Sequence, residues 1–151
     1  MADKFIPTTE LTANDTTSQE ELGRVRIESD GKQYRYIQMR NGTGKTGNVV
    51  VFNSSNNYQV TRTACTVRRN LFAGVLLGTL RSTRYGWAQF RGYCTHVKTD
   101  AAVVAGHAIG VAATVAGASS GVSTAGALKI AFGGSLKADS GSIATAVHLC
   151  G

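Results

Sequence analysis

The sequence predicts an all-β fold, a small β-barrel or β-sandwich of short strands with an extended N-terminal arm. Two observations carry this prediction. Turn-forming stretches recur roughly every ten residues between short segments of apolar or alternating side chains. Glycine accounts for 18 of the 151 residues, whereas proline occurs once. A chain of this length suits one domain with its own hydrophobic core, which needs no disulfide or metal to fold.

The first 22 residues differ from the rest because they are rich in Thr, Asn, Asp, Glu and Ser. They contain too few large apolar side chains to build a core, so they are predicted to form an extended arm that orders against another surface or stays mobile. A short strand at Phe5–Pro7 with a polar helical turn at Ser18–Leu22 is the alternative. The predicted organisation is therefore an arm, residues 1–22, and a single β domain, residues 23–151.

The domain begins with a predicted β-hairpin. Polar and apolar residues alternate over Arg24–Glu28 and again over Gln33–Met39, as in half-buried strands. The intervening Ser29–Lys32 contains Asp-Gly, a frequent turn pair in hairpins. A loop is then predicted over Asn41–Gly47 and a turn over Asn53–Asn57.

Further strands are predicted where apolar or aromatic runs lie between turns: Val49–Phe52, Tyr58–Val67, Asn70–Leu80 and Trp87–Arg91. The run Asn70–Leu80 has glycines spaced as on one helix face, at Gly74 and Gly78. Each would cost a helix about 1 kcal/mol relative to Ala, which favours a strand that bends at a glycine.

Residues 99–151 change character, because 23 of these 53 residues are Ala or Gly. Alanine alone would permit a helix over Ala101–Ala118, but its glycines oppose one. Short strands are preferred, with a flexible loop at Ala116–Gly126. The predicted strands are Ala102–Val104, Ile109–Ala113, Ala127–Phe132 and Ile143–Leu149.

The net charge of +7 comes almost entirely from the centre of the chain. Residues 65–98 carry six Lys and Arg and no Asp or Glu. Such a basic block suits a nucleic acid, an anionic membrane or an acidic protein, and it also suits an ordinary solvated face. Arginine predominates in the block, which favours fixed bidentate contacts.

The sequence gives no sign of an enzyme or a cofactor. Residues 31–98 contain no carboxylate, so a central acid and base pair is absent. The stretch Asn41–Thr46 looks like a phosphate-binding loop, but Met39 stands where that loop needs glycine, and a strand follows instead of a helix. Cys94 and His96 share a strand face, yet two ligands do not make a zinc site.

Cys65, Cys94 and Cys150 are predicted to be reduced, small apolar side chains, as in a cytosolic protein. The N-terminus has no signal-peptide pattern, and the Ala- and Gly-rich window at 101–118 is too weakly apolar to span a bilayer. No membrane association and no small-molecule substrate are therefore predicted.

One pattern in the second half resembles a known family. Trp87–Tyr93 contains the spacing W-x-Q-x-x-G, Ala105–Gly110 (Ala-Gly-His-Ala-Ile-Gly) is similar to a turn pattern A-G-D-x-(I/L/V)-G, and Ala138–Gly141 (Ala-Asp-Ser-Gly) precedes a last strand. With Phe72–Leu76, these segments are similar to capsid decoration (cement) proteins and other small virion proteins of tailed bacteriophages. The resemblance covers about residues 70–150 and departs from the pattern at His107, where an acidic residue is more usual.

The resemblance implies a non-enzymatic virion protein that binds the lattice of the major capsid protein and stabilises the head; a virion protein of the tail or the neck is the alternative. It implies a homo-oligomer, a trimer or a dimer at capsid symmetry positions, on the outer surface of a capsid assembled in the host cytoplasm. No cofactor is expected. The arm and the basic block then supply the candidate contacts with the capsid or with neighbouring copies: Phe5, Ile6, Leu11, Arg68, Arg69, Arg81, Arg84 and Arg91.

A single-stranded nucleic-acid-binding β-barrel is the alternative function. The basic block is interleaved with Tyr85, Trp87, Phe90 and Tyr93. Exposed aromatic side chains beside arginines would let bases stack while the cations hold the phosphates. The same aromatic residues equally suit a hydrophobic core.

Overall fold

A computed structural model of the chain describes residues 9–53, 58–62 and 72–98, and the backbone of four later strands. All regular structure in this described part is strand, which confirms the all-β class. No described segment forms a helix long and apolar enough to cross a membrane.

The described residues form ten strands: β1 Val25–Ile27, β2 Gln33–Asn41, β3 Val49–Phe52, β4 Gln59–Thr61, β5 Phe72–Leu76, β6 Tyr85–Lys98, β7 Ala108–Val111, β8 Ser119–Val122, β9 Ala131–Gly133 and β10 Ala144–Leu149. They are hydrogen-bonded in the order β1-β2-β4-β3-β5-β6-β10-β9-β7-β8, with a further pairing between β2 and β6. This extra pairing makes β2, β4, β3, β5 and β6 a closed cycle, called here the five-strand ring.

All neighbours in the five-strand ring are antiparallel except β2 and β4, which run parallel. The first half of β6 pairs with β2 and β5, and its second half pairs with β10. From β10 the sheet continues through β9, β7 and β8. The long strand β6 therefore joins the ring to the C-terminal strands.

The predicted N-terminal hairpin is confirmed by antiparallel pairing of β1 with β2, in which Arg26 lies opposite Tyr34. The Gly31 N–H donates to the Glu28 carbonyl and the Glu28 N–H donates to the Lys32 carbonyl, both at 3.0 Å. Gly31 has a φ of +82°. This is a three-residue hairpin loop in which glycine takes the left-handed position.

The strand predicted at Asn70–Leu80 is present as β5, and it is irregular at a glycine as expected. Its pairing with β3 shifts register between Val50, opposite Gly74, and Val51, opposite Phe72. At Gly74 a β-carbon would lie 2.8 Å from the Gln89 carbonyl oxygen. The absence of a side chain therefore allows β5 to approach β6 closely.

Of the other predictions, one strand is confirmed at its exact bounds, two strands differ in their bounds, and one loop is wrong. The prediction Val49–Phe52 coincides with β3, and the final strand begins one residue later than Ile143–Leu149. Trp87–Arg91 is only part of the longer β6. The predicted loop Ala116–Gly126 is wrong, because β8 lies within it, paired antiparallel with β7.

Several predictions overlap the described residues only in part. β4 lies within the predicted strand Tyr58–Val67, of which Tyr58 and Arg62 are not in a strand and residues 63–67 lie outside the described part. β7 covers the start of Ile109–Ala113 and begins one residue earlier, and β9 begins in the last two residues of Ala127–Phe132; the other residues of these two predictions lie outside the described part. Ala102–Val104, Phe5–Pro7 and most of the turn Asn53–Asn57 also lie outside it. The helical turn considered at Ser18–Leu22 is not formed.

The inner face of the five-strand ring encloses a buried aliphatic cluster. Residues from each of its strands, and from the segment after β5, contribute: Ile37, Met39, Val50, Val60, Ala73, Leu76, Leu80 and Ala88. Side chains alternate between faces along a strand, so Ile37 and Met39 of β2 point inward while Tyr34 and Tyr36 point outward.

The outward-pointing aromatic residues form a second core beneath residues 9–22. Tyr36 lies opposite Trp87 in the pairing of β2 with β6, and their rings meet edge to face with centroids 5.1 Å apart. Leu11 and Leu22 pack against this cluster from the N-terminal segment. These residues thus cover an aromatic face of the ring that would otherwise be exposed.

Polar contacts hold the same segment in place. The Trp87 indole N–H donates to the Thr9 hydroxyl at 2.9 Å, and Asp15 and Tyr85 exchange two backbone hydrogen bonds of 3.0 Å. The Gln19 N–H donates to the Tyr36 hydroxyl at 3.2 Å. Residues 9–22, predicted from sequence as part of an arm, pack along the chain's own sheet.

The packing of Leu11 predicts a loss of stability on truncation. We expect Leu11→Ala to lower the free energy of unfolding by about 1–2 kcal/mol, below the ~2–5 kcal/mol of a fully buried leucine, because Leu11 is half-buried. Chemical denaturation measures the free energy of unfolding of this variant and of the control Thr16→Ala, which changes an exposed residue. Equal stabilities of the two variants would contradict this packing.

Candidate interaction surface

Acidic residues are confined to one part of the described residues, and most of the basic residues lie beyond it. The described carboxylates all lie between Glu10 and Asp30, and the three ion pairs among described residues join Glu20, Glu28 and Asp30 to neighbours in the same stretch. Past Lys32, six arginines and Lys45 form no ion pair with any residue in the part of the chain that the structure describes: Arg35, Arg40, Arg62, Arg81, Arg84 and Arg91. The ring therefore carries the unneutralised positive charge.

Two loops at one end of the five-strand ring bring several of these cations together. The loop after β2 pairs with the segment after β5, since Gly44 and Leu80 exchange backbone hydrogen bonds of 2.8 and 2.9 Å. The Thr46 hydroxyl donates to the Leu77 carbonyl at 3.2 Å. The cations on these loops and at the adjoining end of β2 define the basic loop surface: Arg40, Lys45, Arg81 and Arg84.

The first of these loops is fixed by a turn. The Lys45 N–H donates to the Asn48 side-chain oxygen at 2.8 Å, and the Asn48 N–H donates to the Lys45 carbonyl at 3.0 Å. Gly47 donates to Leu76 O and accepts from Lys98 N, each at 2.8 Å. Because its backbone is anchored to both β5 and β6, the loop presents Lys45 on a defined scaffold.

The second loop is held just as closely to the end of β2. The Arg84 N–H donates to the Arg81 carbonyl at 3.1 Å, and Thr83 within this turn has a φ of +63°. The Met39 N–H donates to the Arg84 carbonyl, and the Ser82 hydroxyl donates to the Arg40 carbonyl. Arg40, Arg81 and Arg84 therefore lie on adjoining backbone segments.

Most of the basic loop surface is accessible to a partner. Arg40, Lys45 and Arg81 are exposed, and Arg84 is half-buried. In the described residues, none of the four pairs with a carboxylate, so each keeps its full charge for an external anion or acidic side chain.

A different arrangement of cations is found at the opposite end of the ring. Arg91 is exposed and lies opposite Gln33 at the start of β2. The guanidinium of Arg35 lies 4.4 Å from the ring centroid of Phe90, and 5.8 and 5.9 Å from those of Phe52 and Tyr58. Aromatic faces rather than carboxylates stabilise Arg35.

The candidate contacts chosen from sequence fall in several places. Arg81 and Arg84 belong to the basic loop surface, whereas Arg91 lies at the other end. Leu11 packs on the chain's own aromatic core. Phe5, Ile6, Arg68 and Arg69 lie outside the described residues.

Arg40 and Lys45 were not selected from sequence, although a signal for them existed. The basic block was placed at residues 65–98, yet the stretch without any carboxylate begins at Gly31. Both cations lie within this longer stretch. The pairing of Gly44 with Leu80 brings them beside Arg81 and Arg84.

The aromatic residues considered for base stacking are mostly inside the protein. Trp87 is 2% exposed and Phe90 is 8% exposed, and Tyr85 is half-buried. Tyr93 is 43% exposed, but it lies on the β10-paired half of β6. The faces of Trp87 and Phe90 are therefore closed to a nucleic-acid base in this structure.

Cys94 and His96 occupy a half-buried stretch of β6 rather than a metal centre. Burial raises the pKa of the Cys94 thiol and lowers the pKa of the His96 imidazole. His96 Nδ1 lies 3.1 Å from the Thr95 hydroxyl, and its Nε2 is buried without a hydrogen-bond partner. Across the described residues, no three His, Cys, Asp or Glu side chains are grouped to hold a metal ion.

The chain matches no protein-family model, no curated protein and no solved structure.

Two glycines test how the loop of the basic surface is anchored. Gly31 and Gly47 both have a φ of +82°, but a β-carbon at Gly47 would lie 2.3 Å from the His96 carbonyl oxygen and one at Gly31 would meet nothing. We expect Gly31→Ala to cost about 1–2 kcal/mol from backbone strain alone and Gly47→Ala to cost more. Thermal and chemical unfolding measure both, and equal losses would show that the loop is not held against β6.

The burial of His96 predicts that the free energy of unfolding depends on pH. Its folded-state pKa is lowered, so the unfolded chain binds a proton first as pH falls through the ordinary value of 6.5. Stability should therefore decrease between about pH 7.5 and pH 5.5, and less steeply in His96→Asn. Urea unfolding across this range measures the slopes; identical slopes would contradict the burial of His96.

Proposed function

We propose that the protein is a non-enzymatic virion structural protein, a capsid decoration protein that binds the assembled lattice of the major capsid protein and stabilises the head. It acts as a homo-oligomer on the outer surface of a bacteriophage capsid assembled in the host cytoplasm. The basic loop surface is the proposed docking face. Its partner is an acidic protein surface.

The observation that carries this proposal is the set of unneutralised cations on the basic loop surface. Lys45 and Arg81 project from loops whose backbones are hydrogen-bonded to the five-strand ring, and Arg40 projects from the end of β2. A rigid scaffold limits the entropy lost when such side chains are immobilised against a partner. Complementary charge would steer the protein onto an acidic lattice and fix its orientation.

The resemblance to decoration proteins adds support from the other half of the molecule. The W-x-Q-x-x-G spacing of that resemblance lies in β6, and its last strand is β10. These two strands pair antiparallel, with Gly92 opposite Leu149 and Tyr93 opposite His148. Two of the segments that carry the resemblance are therefore neighbours in the sheet.

Burial of the aromatic residues favours an acidic protein over single-stranded nucleic acid as the partner. Proteins that hold single strands without sequence preference combine basic grooves with exposed stacking platforms. Trp87, which donates its indole N–H to Thr9, is not available as such a platform. Cations without stacking residues suit an acidic protein face better.

Cosedimentation with phage heads that lack the protein tests the proposal. We expect saturable binding of the wild type at a fixed copy number per capsomer. The double variant Arg40→Gln/Arg81→Gln should bind about tenfold or more weakly and with less dependence on salt, because two charges leave the docking face.

The matched control is Lys32→Gln/Arg91→Gln, which removes the same formal charge from the other end of β2 and should bind nearly as the wild type does. Equal weakening in both doubles would show that net charge, and not this surface, determines binding. A wild-type protein that does not sediment with heads would contradict the function. Binding only to an oligonucleotide, in a parallel titration, would establish the nucleic-acid alternative.

A further inference from the structure

The edge strand β1 has an open side. In the described part of the sheet, β1 pairs with β2 and with no other strand. Its two apolar side chains are unusually accessible, Val25 being 43% and Ile27 66% exposed. Both lie on one face of the strand, since side chains two residues apart share a face.

The backbone of β1 directs hydrogen-bonding groups toward this open side. The Tyr36 N–H donates to the Arg24 carbonyl and the Glu28 N–H donates to the Lys32 carbonyl. In an antiparallel pair, alternate residues bond to the partner strand, so the Arg24 carbonyl, Arg26 and Glu28 bond toward β2, whereas the Arg24 N–H donates to the Glu21 carbonyl at 3.0 Å. The N–H and C=O groups of Val25 and Ile27 therefore point outward, ready to pair with another strand.

Within Val25–Ile27 this edge has none of the features that usually prevent strand addition; a glycine bulge precedes it, where the Gly23 N–H and the Arg24 carbonyl both bond to Tyr36. Natural edge strands are protected by a lysine on the exposed side, a proline, a bulge or a covering loop. The charge in β1 is on Arg26, whose guanidinium contacts Glu28 Oε1 at 2.5 Å and the Thr9 carbonyl at 3.0 Å. The face that carries Val25 and Ile27 has no charged residue of β1.

The sequence of the edge is complementary to itself when reversed. Residues 24–28 read Arg-Val-Arg-Ile-Glu. If two copies align antiparallel with Arg26 at the centre, Val25 lies opposite Ile27 of the second copy and Arg24 lies opposite its Glu28. In that register Val25 and Ile27 form the hydrogen-bonded pairs, as their outward-pointing backbone groups require.

We propose that two copies of this chain associate edge to edge through β1, antiparallel and about a two-fold axis at Arg26. The contact places apolar Val25–Ile27 pairs on one face; on the other, Arg24, which also pairs with Glu20 of its own chain, lies opposite Glu28 of the second copy. The two Arg26 side chains that meet at the axis each keep their own Glu28, which limits their repulsion. This dimer does not depend on the proposed capsid function.

The interface is small, so the dimer is weak and concentration-dependent. Sedimentation-velocity measurements over a range of concentrations test it. We expect the wild type to shift from monomer toward dimer, and Ile27→Lys to raise the dissociation constant about tenfold or more, because a charge then enters each apolar pair.

The control for this variant is Thr95→Lys, which adds the same charge at an exposed position of β6 and should dimerise as the wild type does. Circular dichroism checks that each variant remains folded. A wild type that stays monomeric throughout, or an Ile27→Lys protein that still dimerises with the wild-type constant, would overturn the proposal.

Disulfide trapping tests the register independently of folding stability. In a background with Cys65→Ser and Cys150→Ser, Arg26→Cys places one thiol from each copy at the axis in a non-hydrogen-bonded pair. The α-carbons of such a pair lie about 4.5 Å apart, within the range that a disulfide spans.

We expect Arg26→Cys to form covalent dimers under mild oxidation much faster than Thr95→Cys in the same background. A mixture of Val25→Cys and Ile27→Cys proteins should give mainly the mixed dimer. Equal rates for Arg26→Cys and Thr95→Cys would rule out this pairing, and self-dimers as abundant as mixed dimers would rule out the register.

Discussion

The two-sided pairing of β6 is the constraint on which the rest of the structure depends. Gln89 lies opposite Tyr34 of β2 and also opposite Val75 of β5, and Ala88 pairs on both sides in the same way. This pairing closes the five-strand ring and encloses the aliphatic core. Gln89 is 1% exposed, and its side-chain N–H groups donate to the carbonyls of Arg91 and Tyr93. These bonds span Gly92, where β6 passes from β2 to β10.

Local patterns were sufficient to predict the elements whose causes are local. The β1–β2 hairpin follows from alternation on both sides of Asp30-Gly31, and β5 follows from an apolar run that glycine keeps from being a helix. β8 was missed because Ser119–Val122 has little apolar content and owes its strand conformation to pairing with β7. The role of residues 9–22 was underestimated for a similar reason. Leu11 and Leu22 are widely spaced in sequence, and only the closed sheet brings Tyr36 and Trp87 beneath both of them.

The candidate surface likewise depends partly on features visible in the sequence and partly on pairings between distant residues. Absence of carboxylates over residues 31–98 is visible in the sequence and correctly indicates unneutralised charge. Which cations share a surface depends on pairs distant in sequence, above all Gly44 with Leu80 and Met39 with Arg84. Aromatic residues near arginines were ambiguous between core and stacking platform. The direct opposition of Tyr36 and Trp87 across β2 and β6 places the indole inside the protein.

The positions of the two proposed contacts allow both to form together. β1 pairs with residues at the start of β2, whereas the basic loop surface begins at Arg40, about 20 Å farther along the strand at ~3.3 Å per residue. Pairing through β1 would thus leave the cations of each copy accessible. In the antiparallel two-fold dimer the two basic loop surfaces would lie at opposite ends, so a lattice whose acidic sites match that spacing would hold the second surface at high effective concentration once the first is bound. Weak self-association and weak docking would then reinforce each other without any change in either contact.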